Sequence, residues 1–174
     1  MVASDVQRIP LLDAAQLERE AARRNSEFTA IWDRLDEVKD PEIPVLSIWD
    51  LGILRDVYRD AEGLVVVITP TYSGCPAMRA IADEVQASLA EFGERQVRIE
   101  TRLSPAWTTD WMTEEGRAAL RAYGIAPPQG CSSAPDDRPP DCPQCGSSNT
   151  RRVSEFGSTA CKSLFQCEDC REPF

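Results

Sequence analysis

Residues 64–76 read Leu-Val-Val-Val-Ile-Thr-Pro-Thr-Tyr-Ser-Gly-Cys-Pro, and this stretch decides the fold. Leu64 to Ile68 is aliphatic on both faces, as in a strand covered on both sides and set in the middle of a sheet. Pro76 suits the first turn of a helix. Beyond it Met78, Ile81, Ala82, Val85 and Leu89 share one helical face, and Gly93 stops the helix. Central strand, short loop and helix therefore follow one another, with a thiol, Cys75, at the junction.

On the N-terminal side, Ile53–Tyr58 reads as a second strand, joined to Leu64–Thr69 through Asp60-Ala61-Glu62-Gly63, which suits a hairpin turn. Residues 39–52 read as an extended loop. From Leu12 to Val38 the pattern is helical in two pieces, with Asp13 as a candidate cap and Asn25-Ser26 as the break. The second piece carries an apolar stripe of Phe28, Ile31, Trp32, Leu35 and Val38. Asp40-Pro41 ends it, because the residue before proline is pushed out of the helical region. Residues 1–26 carry no functional motif and read as a tail followed by a surface helix.

On the C-terminal side, Gln96–Leu103 alternates as a half-buried strand. A helix follows over Thr113–Tyr123, stopped by Gly124. The order α-β-β-α-β-α predicts a small two-layer α/β domain over residues 27–125. Residues 126–141 have the proline-rich, small and polar composition of a linker. Residues 142–174 form a module too small to fold on an apolar core alone.

Composition narrows the chemistry. The chain has 174 residues and a formal net charge of −10. That excess argues against a general nucleic-acid binder and against an anionic membrane surface. No apolar run approaches a bilayer span, and no secretory signal opens the chain, so the expected location is the cytoplasm. Histidine is absent. Ser-His-Asp and Cys-His catalysis from within this chain are excluded, as is any metal site that needs imidazole.

Seven cysteines are present. Cys142-Pro-Gln-Cys145 and Cys167-Glu-Asp-Cys170 are two C-x-x-C knuckles. Each lets two sulfurs reach one ion, and Gly146 permits the tight turn after the first. Four thiolates at this spacing suit a zinc ribbon, although tetrahedral sulfur also accepts a single iron or a cluster. Such a site is closed to substrate, so its expected role is to stabilise the module or dock a partner. Cys161 is a fifth thiol, read as buried filler or as redox or cluster chemistry beside the ribbon. Cys131 falls in the linker.

Cys75 sits just ahead of the helix, where unpaired N–H groups and the positive dipole end favour a thiolate. Such a sulfur can ligate a metal or attack a disulfide, or it can simply cap the helix. No C-x-x-C contains Cys75, which weakens a thiol-redox pairing with Cys161 or Cys131.

Three short motifs in order, Asp40-Pro41-Glu42, Asp50-Leu51-Gly52 and Thr71-x-x-x-Cys75-Pro76, resemble the signature of SufT-like iron–sulfur assembly domains over residues 27–103. Ser104–Trp111, Tyr123–Pro128, the ribbon segment Ser154–Lys162 and the ending Cys170–Phe174 resemble the phenylacetate-degradation branch of that group, the PaaD-like components of phenylacetyl-CoA ring 1,2-epoxidase systems. The resemblance implies a non-catalytic accessory protein that matures or maintains the iron–sulfur or iron cofactor of an aromatic-CoA oxygenase. Its implied partners are the oxygenase or reductase subunits and the iron–sulfur assembly machinery. A transient cluster or iron would be held at Cys75, with a homodimer as one way to share it. Asp40, Glu42, Asp50 and Thr71 would shape the pocket, and Cys142, Cys145, Cys167 and Cys170 would bind zinc. The alternative from a different class is a structural adaptor that holds oxygenase and reductase together through the ribbon and Trp107/Trp111. Because the chain stops at Phe174, the ribbon is expected to lack a closing strand.

Overall fold

A computed structural model of the chain describes residues 14–128 and 138–174; the Asp13 cap and Cys131 lie outside them. The N-terminal part is a three-stranded sheet with helices packed on it. In chain order it contains α1 (Ala14–Asn25), α2 (Thr29–Asp36), β1 (Leu54–Asp60), β2 (Gly63–Ile68), α3 (Ala77–Glu91), β3 (Val97–Thr101) and α4 (Glu114–Tyr123). A 3₁₀ turn, Thr109–Trp111, precedes α4. The C-terminal part is a two-stranded hairpin, β4 (Thr150–Ser154) and β5 (Leu164–Cys167).

The sheet order is β1-β2-β3, with β2 in the middle. Leu64 to Ile68 are all buried, which is why this strand shows no polar face. β1 pairs with β2 antiparallel through the Asp60–Gly63 turn, where Asp60 Oδ1 accepts the N–H groups of Glu62 and Gly63. β3 pairs with β2 in parallel, Val66 opposite Ile99. Parallel pairing needs a crossover, and α3 supplies it. The apolar face of α3 buries Ile81, Val85 and Leu89 in the same core as Trp32 and Leu35 of α2. Truncating one of these large side chains to Ala would cost about 2–5 kcal/mol.

Two expectations are corrected. Residues 39–52 are a compact loop, tied by a bridge between Lys39 and Ser47 and by hydrogen bonds Asp40 N–H to Leu46 O (3.0 Å) and Ile48 N–H to Val38 O (3.0 Å). It buries Ile43, Leu46, Ile48 and Leu51, and those apolar residues explain why it folds back on the core. Helix α1 is more than a surface helix. Arg19 is 1 % exposed, and its guanidinium donates to the carbonyls of Trp49 (2.8 Å) and Trp111 (2.6 Å) while stacking on the Trp49 ring. Burial lowers its pKa to about 9, so it is charged at neutral pH.

Gly52 marks the closest approach between the loop and the chain before α4. Its φ is +79°, and a Cβ there would lie 2.7 Å from Trp111 Cβ. Only glycine meets both demands.

Candidate functional site: a thiol cavity and a four-cysteine ribbon

Cys75 lies in the turn between β2 and α3. Its N–H donates to Tyr72 O (3.1 Å) and its carbonyl accepts the Met78 N–H (3.4 Å), so the turn is fixed before Ala77 opens the helix. The thiol is free and half-buried. It opens on a cavity of about 460 Å³. Asp40, Glu42, Thr71 and Tyr72 line that cavity beside it, with Trp107, Met112 and Leu120 as apolar walls. The far wall comes from the C-terminal module: Ala160, Cys161, Lys162, Phe165 and Phe174.

The acidic residues divide by role. Asp40 is buried, and its Oδ1 accepts the N–H groups of Glu42 and Ile43, both at 2.8 Å. It shapes the loop and through it places Glu42, which is exposed at the cavity. Asp50 is not among the lining residues. Its carboxylate accepts the Ser47 N–H (3.1 Å) and the Thr113 hydroxyl (2.8 Å), and lies 2.9 Å from Ser47 Oγ. Thr113 in turn caps α4 by accepting the Gly116 N–H at 2.9 Å. Asp50 thus acts on the cavity from behind, by seating the helix that carries Leu120.

Tyr72 reports the electrostatics of the cavity. Burial first, then the charges of Cys75, Cys161 and Glu42, raise the phenol above its ordinary range. Both thiols therefore lie within electrostatic reach of one ring. Placing Cys161 at this cavity needs the tertiary fold, since its neighbours in sequence belong to the ribbon.

The tryptophans singled out as adaptor anchors are already engaged. Trp111 is buried, with the Arg55 guanidinium 3.6 Å over its ring. Trp107 is half-buried against the core and donates its indole N–H to Leu51 O at 2.8 Å.

In the C-terminal module the knuckles converge. The sulfurs of Cys142, Cys145, Cys167 and Cys170 all lie within 4.8 Å of one another, with Cys142–Cys170 at 3.7 Å and Cys145–Cys167 at 3.6 Å. A zinc tetrahedron with bonds of about 2.3 Å has edges of roughly 3.8 Å, so the set fits that ion. The residue after each knuckle has positive φ, Gly146 at +75° and Arg171 at +67°, which marks the same turn at both. Asp169 ties the knuckles together by accepting from Ser147 Oγ (2.5 Å) and Asn149 Nδ2 (2.8 Å), and these two bonds hold its carboxyl below the usual range.

The thiols are unequal without a metal. The Cys170 N–H turned toward Cys167 Sγ, 3.5 Å away, lowers that thiol to about 7. Cys170 receives help from the Glu172 N–H, yet burial and its three sulfur neighbours outweigh it and push the thiol up to about 12. Four thiolates cannot coexist so closely without a cation between them.

The expected missing edge is present. Phe174 and Phe165 exchange backbone hydrogen bonds at 2.8 and 2.9 Å, and the Cys167 N–H donates to Glu172 O at 3.0 Å. The last residues close the ribbon beside β5, with the Phe165 and Phe174 rings stacked at 5.8 Å.

Comparison with known proteins finds two matching segments. Residues 29–100 match the family model "Iron-sulfur cluster assembly protein", and residues 126–174 match "PaaD zinc beta ribbon domain". Over 146 residues the chain is 50% identical to an Escherichia coli (strain K12) protein named as a putative subunit of 1,2-phenylacetyl-CoA epoxidase, covering 83% of this chain and 88% of that one. The chain belongs to the PaaD family. As in the family's name for its C-terminal part, the four clustered cysteines form a zinc ribbon. This PaaD family member is also 37% identical over 92 residues to the Bacillus subtilis (strain 168) Fe-S protein maturation auxiliary factor YitW, covering 52% of this chain and 89% of that factor. It is 39% identical over 85 residues to the Staphylococcus aureus (strain USA300) Fe-S protein maturation auxiliary factor SufT, covering 48% and 96%. Among the described residues no helix is long and apolar enough to cross a membrane.

Proposed function

We propose that the chain is a non-catalytic accessory protein of a phenylacetyl-CoA ring 1,2-epoxidase system, and that it matures or maintains the iron–sulfur or iron cofactor of that complex. The names of its relatives support both halves of the reading, one an epoxidase subunit and two Fe-S maturation factors. The observation that carries it is the free Cys75 thiol, open on a cavity beside Asp40, Glu42 and Thr71.

Cargo transfer needs a ligand that holds iron but leaves coordination positions open for the next owner. Cys75 meets that need, since a thiolate is a good iron ligand and its sulfur lines a cavity. The ribbon does not, because its four sulfurs fill a tetrahedron. Zinc there holds a module that has little core of its own. The cargo would reside at Cys75, and the exchange partners would be the reductase or oxygenase subunits and the assembly machinery. An adaptor role draws less support, because Trp107 and Trp111 are engaged within the chain.

The test is in cells that depend on phenylacetate ring epoxidation. Cys75→Ala should lower the cluster or iron content of the epoxidase subunits and ring epoxidation together, while the subunits still assemble. Full cofactor loading with Cys75→Ala would rule the maturation role out.

A further inference from the structure

Cys161 is outside the four-sulfur set of the ribbon, and it is exposed rather than packed as filler. It sits in residues 155–163, between β4 and β5. A hairpin needs only about two to five connecting residues, and longer excursions are commonly functional. This loop has a defined base: the Gly157 N–H donates to Lys162 O (2.6 Å) and the Ser163 hydroxyl to Glu155 O (3.1 Å). Near its tip the Thr159 hydroxyl and the Cys161 sulfur are 3.1 Å apart. The loop brings Cys161 and Lys162 to the same 460 Å³ cavity that Cys75 enters from the α/β part.

We propose that Cys161 is a second thiolate ligand for the iron cargo held at Cys75, so that the transfer site is complete only when the ribbon sits against the α/β part. This rests on the maturation reading above. The two sulfurs come from separate parts of the chain, yet both line one cavity and both reach Tyr72 electrostatically. Binding Fe(II) would release one proton from each thiol to solvent and form two Fe–S bonds, with no change of oxidation state. Two protein thiolates leave further positions for a client's ligands, whereas the ribbon's four leave none. Lys162, on the same wall, favours the thiolate over the thiol form of the two ligands before iron arrives.

The experiment uses the full-length protein with zinc in the ribbon, under anaerobic conditions, with Co(II) as the probe. Zinc outcompetes cobalt at the ribbon, so added Co(II) reports on other sites. Native protein, Cys75→Ser and Cys161→Ser are titrated, reading the thiolate-to-cobalt absorption, bound cobalt and retained zinc. The inference predicts one additional cobalt per chain in the native protein. Cys161→Ser should weaken it at least about tenfold and reduce the thiolate absorption, with zinc still at one per chain. Wild-type affinity and absorption in Cys161→Ser, with loss only in Cys75→Ser, would overturn the inference and leave the maturation reading standing. No added cobalt in the native protein, or binding that ignores Cys75→Ser, would overturn both.

Discussion

The Thr113 hydroxyl donates to Asp50 Oδ1 at 2.8 Å, and its oxygen accepts the Gly116 N–H at 2.9 Å. This pair joins the loop before β1 to the start of α4. It extends through Ser47 to Asp36, whose Oδ1 lies 2.6 Å from the Ser47 hydroxyl, and on to Arg23 at 2.9 Å. A motif acid that resembles a site residue is thus a framework residue in geometry. Asp50→Ala leaves the Ser47 N–H and the Thr113 hydroxyl without their acceptor, while the Ser47 hydroxyl keeps Asp36, and should lower stability by about 2–3 kcal/mol. Asp50→Asn keeps one acceptor oxygen and should cost less than half as much. Urea denaturation of both variants checks the order.

Arg19 gives a second framework prediction. Its guanidinium donates to carbonyls of two segments far apart in sequence, Trp49 and Trp111. Arg19→Met retains much of the apolar stem but takes the guanidinium donor from both carbonyls, Trp49 O keeping the Gly52 N–H (2.9 Å), so it should cost about 2 kcal/mol. Arg19→Lys should recover only a minor part, because one ammonium lacks the fork and the flat face that stacks on Trp49. Thermal unfolding of the two variants would show this ranking; equal stability of Arg19→Lys and the native chain would contradict it.

Much of this fold is legible in the sequence, and the exceptions share a cause. β2, α3 and the Asp60–Gly63 turn can be read because their signals are local: an unbroken aliphatic run, a 3.6-residue stripe, and a turn acid beside glycine. The knuckles are equally readable from spacing. Arg19 cannot be read as buried, since its distant partners, Trp49 O and Trp111 O, are backbone carbonyls that carry no sequence signature. Cys161 resembles part of the ribbon because its neighbours in sequence belong there. In space it lines a cavity whose other wall is the α/β part. The closing edge at Glu172–Phe174 escapes a sequence reading because a single bridge and three backbone bonds make it, with no strand pattern to announce it.

Zinc binding to the ribbon should depend on pH, and the sign follows from the thiols. Cys170, pushed up to about 12, and Cys145, also raised, hold protons at neutral pH when no metal is present. Zinc must displace them, so falling pH favours the metal-free form. Affinity should weaken by about tenfold or more per pH unit below neutrality. Competition with a chromophoric chelator at several pH values measures it, and a flat profile would contradict the assignment. Removing zinc should unfold residues 142–174 while the sheet of β1, β2 and β3, with its own core, persists.

The most direct test of the central claim is the zinc, iron and acid-labile sulfide content per chain after anaerobic reconstitution, for the native protein and Cys75→Ala. The account predicts about one zinc in both and iron, with or without sulfide, in the native chain alone. Iron uptake that survives Cys75→Ala, or zinc as the sole metal in both, would contradict it.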